Sequence, residues 1–161
     1  MAITPAIKSA IRSFNEIIIG GIPLLLKQND TAFLSFVCAV AAIDALSAYR
    51  YSTDKVGDRF RQFIAEYFPS SYASHVDNLY LFRCRMLHNF SPAYFSVNHG
   101  TPECHLKASS RDYYLNDEVF FADLKEAAIK FFDEVRSDTG RQDEMNARLA
   151  DIRRGGSIYY E

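Results

Sequence analysis

Residues 31–51 constrain the fold more than any other stretch. Phe33, Phe36, Val37, Val40, Ala41 and Leu46 spread around nearly the whole circumference of a helix instead of lining one stripe. A helix apolar nearly all round belongs at the centre of a protein, with other elements wrapped about it. One residue interrupts the pattern. Asp44 stands between Ile43 and Ala45, and an ionised carboxylate buried there needs an arginine or histidine from a neighbouring element.

The rest of the chain supplies amphipathic helices of the kind such a centre requires. Over residues 3–27, Ile7, Ile11, Phe14, Ile18 and Ile22 keep helical spacing, with Thr4 as cap and Pro5 at the first helical position. Gly20-Gly21 and Pro23 kink or end that helix. Residues 28–30 read as a turn, with Asp30 or Thr31 capping the central helix. Residues 52–54 cap a third helix, 55–68, that turns Val56, Phe60, Phe63, Ile64 and Tyr67 inward. A late helix, 116–137, is capped by Asn116 or Asp117 and carries Phe120, Phe121, Leu124, Ala127, Ala128, Phe131 and Phe132. Beyond Thr139-Gly140 the apolar anchors thin to Met145, Leu149 and Ile152. Residues 141–161 are therefore expected to form a loosely packed helix and tail, or to pack on a partner.

Between these helices, residues 93–108 change character. Phe95 and Val97 alternate with Tyr94, Ser96 and Asn98, and His99-Gly100-Thr101-Pro102 is turn chemistry. A small β-hairpin is expected, with 112–115 as a third strand or extended edge. The predicted fold is mainly α, an up-down helical bundle with this inserted hairpin, in a single domain of residues 1–161.

A net charge of −2 provides no global field for nucleic acid, so any such binding needs a local patch. Aromatic residues make up 14% of the chain, which points to bulky core packing or a self-association surface. The three cysteines cannot all pair within the chain, no secretory leader is legible, and the apolar run 17–26 is too short to span a bilayer. A cytoplasmic protein with reduced thiols and no membrane segment is expected.

The chemistry concentrates in residues 77–92, DNLYLFRCRMLHNFSP. Leu79, Phe82 and Met86 make one face of a helix apolar, and Tyr80 and Leu87 widen it. Arg83, Arg85 and His88 share what remains. Asn89 tolerates the left-handed conformation that ends a helix, and Pro92 enforces the stop. His88 then lies in the last turn, where the helix dipole favours its protonated form. Arginine holds a phosphate through two parallel donors, and histidine exchanges protons near neutrality, so the pair suits a phosphate-directed site with Asp44 holding Arg83 or orienting His88. On a straight helix positions five apart diverge by about 140°, which favours the plainer alternative of an Arg83–Asp44 ion pair tying two helices. Arg85 lies closer in angle to His88.

The pattern Leu79-Tyr80-x-x-Arg83-x-x-x-Leu87-His88 on a late bundle helix resembles the HEPN domains, whose signature is an arginine, four to six residues, and a histidine. The resemblance covers roughly residues 30–135. It implies a nucleotide-binding helical bundle. Many members are metal-independent endoribonucleases of toxin or defence type that dimerise with the two motifs facing each other across a cleft. Others are non-catalytic modules or regulators. Carried over, Arg83 would be the phosphate-binding arginine and His88 the catalytic histidine, supported by Asp44, Tyr80, Arg85 and Asn89. Active members commonly carry a polar residue, often Asn, after the arginine. Here it is Cys84, a departure that bears on catalysis and not on fold. The implied partners are a second copy of the chain, single-stranded RNA or a nucleotide, and an antitoxin-like protein. No cofactor or metal is implied.

Other groups read less specifically. His99, Cys104 and His105 are all metal-ligand types, but Cys104 and His105 would point to opposite faces of a strand, which favours a plain polar hairpin. Cys84 beside Arg83 and Arg85 would be a reactive thiolate or, more simply, a small buried residue. Arg12, Lys55, Arg59, Arg61, Arg153 and Arg154 are spread among acids, as on solvated helix faces. Tyr113, Tyr114, Tyr159 and Tyr160 would stack on bases or, more often, pack at a chain contact.

Overall fold

The computed structural model describes residues 3–110 and 112–153. The side chain of Arg153, with Arg154, the Gly155-Gly156 pair, Tyr159 and Tyr160, lies outside them. The chain is mainly helical: α1 Pro5–Phe14, α2 Ile22–Leu25, α3 Asn29–Arg50, α4 Val56–Tyr67, α5 Val76–Asn89, α6 Asp117–Ser137 and α7 Thr139–Arg153, with strands β1 Phe95–Asn98 and β2 Tyr113–Asn116 between α5 and α6.

The long apolar helix is the hub. α3 packs against α2, α4, α5, α6 and α7. It is long and apolar enough to cross a membrane, but half of its most apolar window is buried inside the fold, as in a core helix. The burial is one broad face: Ala32, Phe36, Ala39, Val40, Ala42, Ile43 and Leu46. Leu34 and Ala41 on the other side remain exposed. Aromatic rings fill the space around the hub. Phe36 meets Phe82 of α5 edge-on at 5.7 Å, Phe82 meets Phe95 of β1 at 5.6 Å, and Phe63 of α4 meets Phe131 of α6 at 6.1 Å. Each fully buried ring contributes about 1.5–3 kcal/mol from its removal from water.

The first helix follows its sequence signals. Thr4 caps α1 by accepting the Ile7 N–H at 3.4 Å, and its hydroxyl reaches Asn146 of α7 at 2.7 Å. A π turn, Asn15–Ile19, then leads into Gly20-Gly21, closed by the Gly20 N–H to Asn15 carbonyl bond at 2.9 Å. The next caps differ from expectation. Gln28, not Asp30 or Thr31, precedes α3 and makes no side-chain cap bond. The Thr31 hydroxyl donates instead to the Leu25 carbonyl at 2.7 Å, tying α2 to α3. Lys55 occupies the cap position of α4, also without a side-chain cap bond. The left-handed residue ending α5 is Phe90, with φ 51°, and Asn89 is the last helical residue. Asn116 caps α6 as expected, accepting the Val119 N–H at 2.9 Å.

Two expectations are corrected. The inserted element is not a hairpin over 93–108. β1 pairs with β2 in parallel, Phe95 opposite Tyr113 through Asn98 opposite Asn116. The turn residues after His99 do not fold the chain straight back. Pro102–Cys104 forms a short 3₁₀ turn, and the connection is long enough to carry the chain over into a parallel neighbour. The segment expected as the second arm pairs with β2 instead: the Leu106 N–H donates to the Tyr114 carbonyl at 2.8 Å, and the Tyr114 N–H to the Lys107 carbonyl at 2.9 Å. The helix from residue 141 is packed as far as Leu149, and residues 150–152 beyond it are exposed. Met145, Leu149 and Gln142 are buried, and the Arg148 guanidinium donates to the Ala48 carbonyl of α3 at 3.1 Å.

The π turn draws carbonyls close to the paired glycines. A Cβ on Gly21 would stand 2.2 Å from the Ile17 carbonyl oxygen, a backbone atom with no rotamer to yield. Gly21→Ala is expected to lower the unfolding free energy by about 1–3 kcal/mol in urea titration. An unchanged midpoint would mean that the turn accommodates a side chain freely.

Candidate functional site

α5 carries the sequence motif across the surface of α3. Its inward residues Leu79, Phe82 and Met86 are buried, which fixes the rotation of the helix and aims Arg83 at α3. There the guanidinium meets Asp44. The Arg83 Nε donates to Asp44 Oδ2 at 2.7 Å and one terminal nitrogen donates to the same oxygen. Both side chains are mostly covered, 16% and 18% exposed. Asp44 Oδ1 is buried without a hydrogen-bond partner, so a single oxygen carries the whole contact. Burial pulls the Arg83 pKa down, but the Asp44 hydrogen bond and charge outweigh it and the net shift is upward. The remaining terminal nitrogen, Nη1, has a weak contact with Cys84 Sγ at 3.9 Å.

Tyr80 extends this string. The neighbouring Cys84 thiol, with burial, raises the pKa of its hydroxyl. Its ring packs on the Arg61 guanidinium at 4.2 Å, and Arg61 in turn holds Asp77 at 2.7 Å. The other motif residues stand apart. Arg85, His88 and Asn89 are exposed. His88 lies in the last turn of α5, and Arg83 bonds to Asp44 and not to it. Within one chain the structure joins Arg83, Asp44, Cys84 and Tyr80, and it does not join His88 to them.

A second polar region lies at the strand pair. Asn116 takes the cap of α6, which leaves the carboxylate of Asp117 free to turn inward. Asp117 is buried and receives His99 Nδ1 at 3.0 and 3.1 Å and the Glu118 N–H at 2.8 Å. Burial raises the Asp117 pKa, and the His99 contact opposes that rise. The pair lines a cavity of about 230 Å³ with Phe33, Phe36, Val97 and Asn98. His99 was legible as a candidate, but its partner was read only as a cap.

Next to it runs a buried relay. The Tyr72 hydroxyl donates to Asp123 Oδ2 at 2.6 Å and lies 2.7 Å from His105 Nε2. His105 Nδ1 accepts the Asn116 N–H at 3.1 Å. With the tyrosine proton committed to Asp123, His105 must donate from Nε2, which fixes its neutral tautomer. Both His105 nitrogens are engaged, so it does not join His99 and Cys104 as a metal ligand. Tyr72 has an upward-shifted pKa, from burial first and Asp123 second. Among the described residues, two of the basic candidates are held by neighbouring acids. Arg12 pairs with Glu16 at 2.7 Å and Arg61 with Asp77. Tyr113 packs edge-on against His75 at 4.5 Å.

The geometry defines a mainly helical protein with a short parallel strand pair, and the motif helix and the strand region hold separate polar centres. No protein-family model, curated protein or solved structure matches the chain.

Two predictions follow from these centres. Arg83→Ala strands a buried carboxylate and is expected to destabilise by about 3 kcal/mol, the lower end for a buried pair because both partners keep some water contact. Asp44→Leu combined with Arg83→Met is expected to recover most of that loss in urea unfolding. The second concerns acid. Burial, then His75, depress the His105 pKa to about 4 against an ordinary 6.5, with the Asn116 N–H bond included in that balance. Burial lowers His75 as well. The unfolded chain thus binds protons that the folded chain refuses, so stability is full above about pH 6.5 and falls as the pH drops toward about 4. His105→Gln is expected to flatten that slope in unfolding titrations across the interval, and a slope equal to wild type would refute the assignment.

Proposed function

We propose that the chain is a cytoplasmic, HEPN-like RNA-directed module that acts as a homodimer and cleaves single-stranded RNA without a metal, in the manner of toxin or defence ribonucleases held in check by a cognate protein. The observation that carries this reading is the last part of α5. Arg83 is pinned in place by Asp44 with Nη1 left free of any carboxylate, while His88 and Asn89, one turn further on, are exposed. A second copy is needed because the two residues diverge within one chain. An uncovered apolar stripe on α3, formed by exposed Leu34 and Ala41 with half-buried Val37 and Cys38, runs beside Asp44 and supports such pairing. In the paired state His88 would take the 2′-OH proton, the oxygen would attack the adjacent phosphate, and Arg83 would stabilise the charge developing on the phosphate oxygens. Products would carry a cyclic phosphate or a 3′-phosphate.

A second reading has its own observation. Arg83 spends two of its donors on Asp44, and His88 has no side-chain group fixing its ring among the described hydrogen bonds. That favours a non-catalytic module that binds a nucleotide, RNA or a protein partner through the same helix end.

His88 is exposed, so His88→Ala leaves the fold intact and separates the two. Cleavage of single-stranded RNA that persists in EDTA and drops by about 100-fold or more in His88→Ala supports the enzyme. Equal RNA binding by both proteins with cleavage by neither supports the module. A monomeric mass in light scattering at micromolar concentration, with no RNA cleavage, overturns the enzyme, and RNA and nucleotide binding unchanged by Arg85→Ala combined with His88→Ala overturns a module that binds them through this helix end.

A further inference from the structure

We propose that His99, Asp117 and Glu118 form a binding site for a divalent transition metal ion of the zinc type, independent of Arg83 and His88. One ring nitrogen of His99 and one carboxylate oxygen from each acid all lie within 4.8 Å of one another. Ligands at about 2.0–2.2 Å from a shared zinc ion sit closer together than that, so the set must tighten. Glu118 is exposed and its side chain is free to rotate inward, while Asp117 and His99 are already in contact.

The donor set selects the ion. Two carboxylates and an imidazole hold a charge of −2 when the histidine is neutral, which a divalent cation cancels. The imidazole favours zinc and its neighbours in the transition series over magnesium or calcium. The central ligand is also poorly placed for any other role. The Asp117 side chain is only 1% exposed, and a carboxylate that deep is expensive to keep ionised without a cation. His99 and one backbone N–H are what it has. Metal would take the place of the proton between His99 Nδ1 and Asp117; in a neutral imidazole that proton is re-placed on Nε2 through solvent, so the ring stays neutral while Nδ1 ligates.

The neighbourhood adds a second observation. The cavity of about 230 Å³ opens directly on His99 and Asp117, walled by Phe33, Phe36 and Val97, with Asn98 at its edge. Three protein ligands beside a space of that size leave a fourth position for water or a small polar ligand, the arrangement of an open site and not of a sealed structural one. Asn98, which also lines that space, accepts the Asn116 side-chain amide through its Oδ1 at 2.9 Å.

The test uses the full chain stripped with EDTA and dialysed, titrated with Zn²⁺ in a calorimeter and with Co²⁺ by visible absorption. One ion per chain, a thermal upshift on Zn²⁺ addition, and a tetrahedral or five-coordinate cobalt spectrum are expected. His99→Ala and Asp117→Asn are expected to weaken binding by at least 100-fold, and Glu118→Gln by about 10-fold, whereas Cys104→Ser leaves it unchanged. Because Glu118 is exposed, Glu118→Gln folds even if changes at buried Asp117 do not. Absence of binding by wild type, or binding that survives both His99→Ala and Glu118→Gln, overturns the assignment. Zinc binding abolished by Cys104→Ser would place the ion on the thiol and overturn it equally.

Discussion

A helix with one charge in an apolar run decides how this protein is put together. α3 can be kept from water only if other elements wrap it, and α2, α4, α5, α6 and α7 do so. Asp44 in the middle of that helix cannot be wrapped by hydrocarbon alone. Its carboxylate accepts Arg83, a contact that agrees with the rotation of α5 set by buried Leu79, Phe82 and Met86. Phe82 and Met86 are then carried into the core beside Phe36 and Phe95, so one ion pair and one aromatic cluster hold the same helix in the same rotation. Breaking a buried pair costs more than forming it gains, which makes Asp44–Arg83 a register device more than a source of stability.

That device competes with chemistry. A guanidinium bound to a carboxylate is held in place but is also partly neutralised toward a phosphate. His88, by contrast, is free in solvent and unoriented. The strand region shows the opposite condition. His99 is oriented by a buried carboxylate and faces a cavity, and His105 is locked in one tautomer by Tyr72 and the Asn116 backbone. Orientation by a buried partner is what a reactive or ligating histidine requires, and the motif histidine lacks it within one chain while His99 has it.

Why some of this was legible follows from the range of the forces involved. Helix spacing depends on neighbours three and four residues away, so Ile7, Ile11 and Phe14 of α1 and Phe60, Phe63 and Ile64 of α4 are readable in the chain itself. The same holds for the Thr4 and Asn116 caps and the need of Asp44 for a cation. The caps of α3 and α4 misled because Thr31 and Thr53 have hydroxyls that serve other backbone groups once the chain is folded. The strands misled for a similar reason. Alternation in 93–98 marks a strand correctly, but not which strand will lie beside it, and β2 came from beyond the expected turn.

By itself, then, the sequence determined a mainly helical chain organised round residues 31–51, an acid within it that must meet a base, and the boundaries of most helices. These are local properties of side-chain spacing and of charge in hydrocarbon. The tertiary structure alone decided that Arg83 turns to Asp44 and not to His88, that β1 and β2 run parallel, that Arg148 of α7 reaches the Ala48 carbonyl of α3, and that Asp117 turns in to His99. Each depends on residues far apart in the chain arriving at one place. Only the packed chain, in which burial makes every unpaired charge and every uncovered ring costly at once, selects among the partners the sequence leaves open.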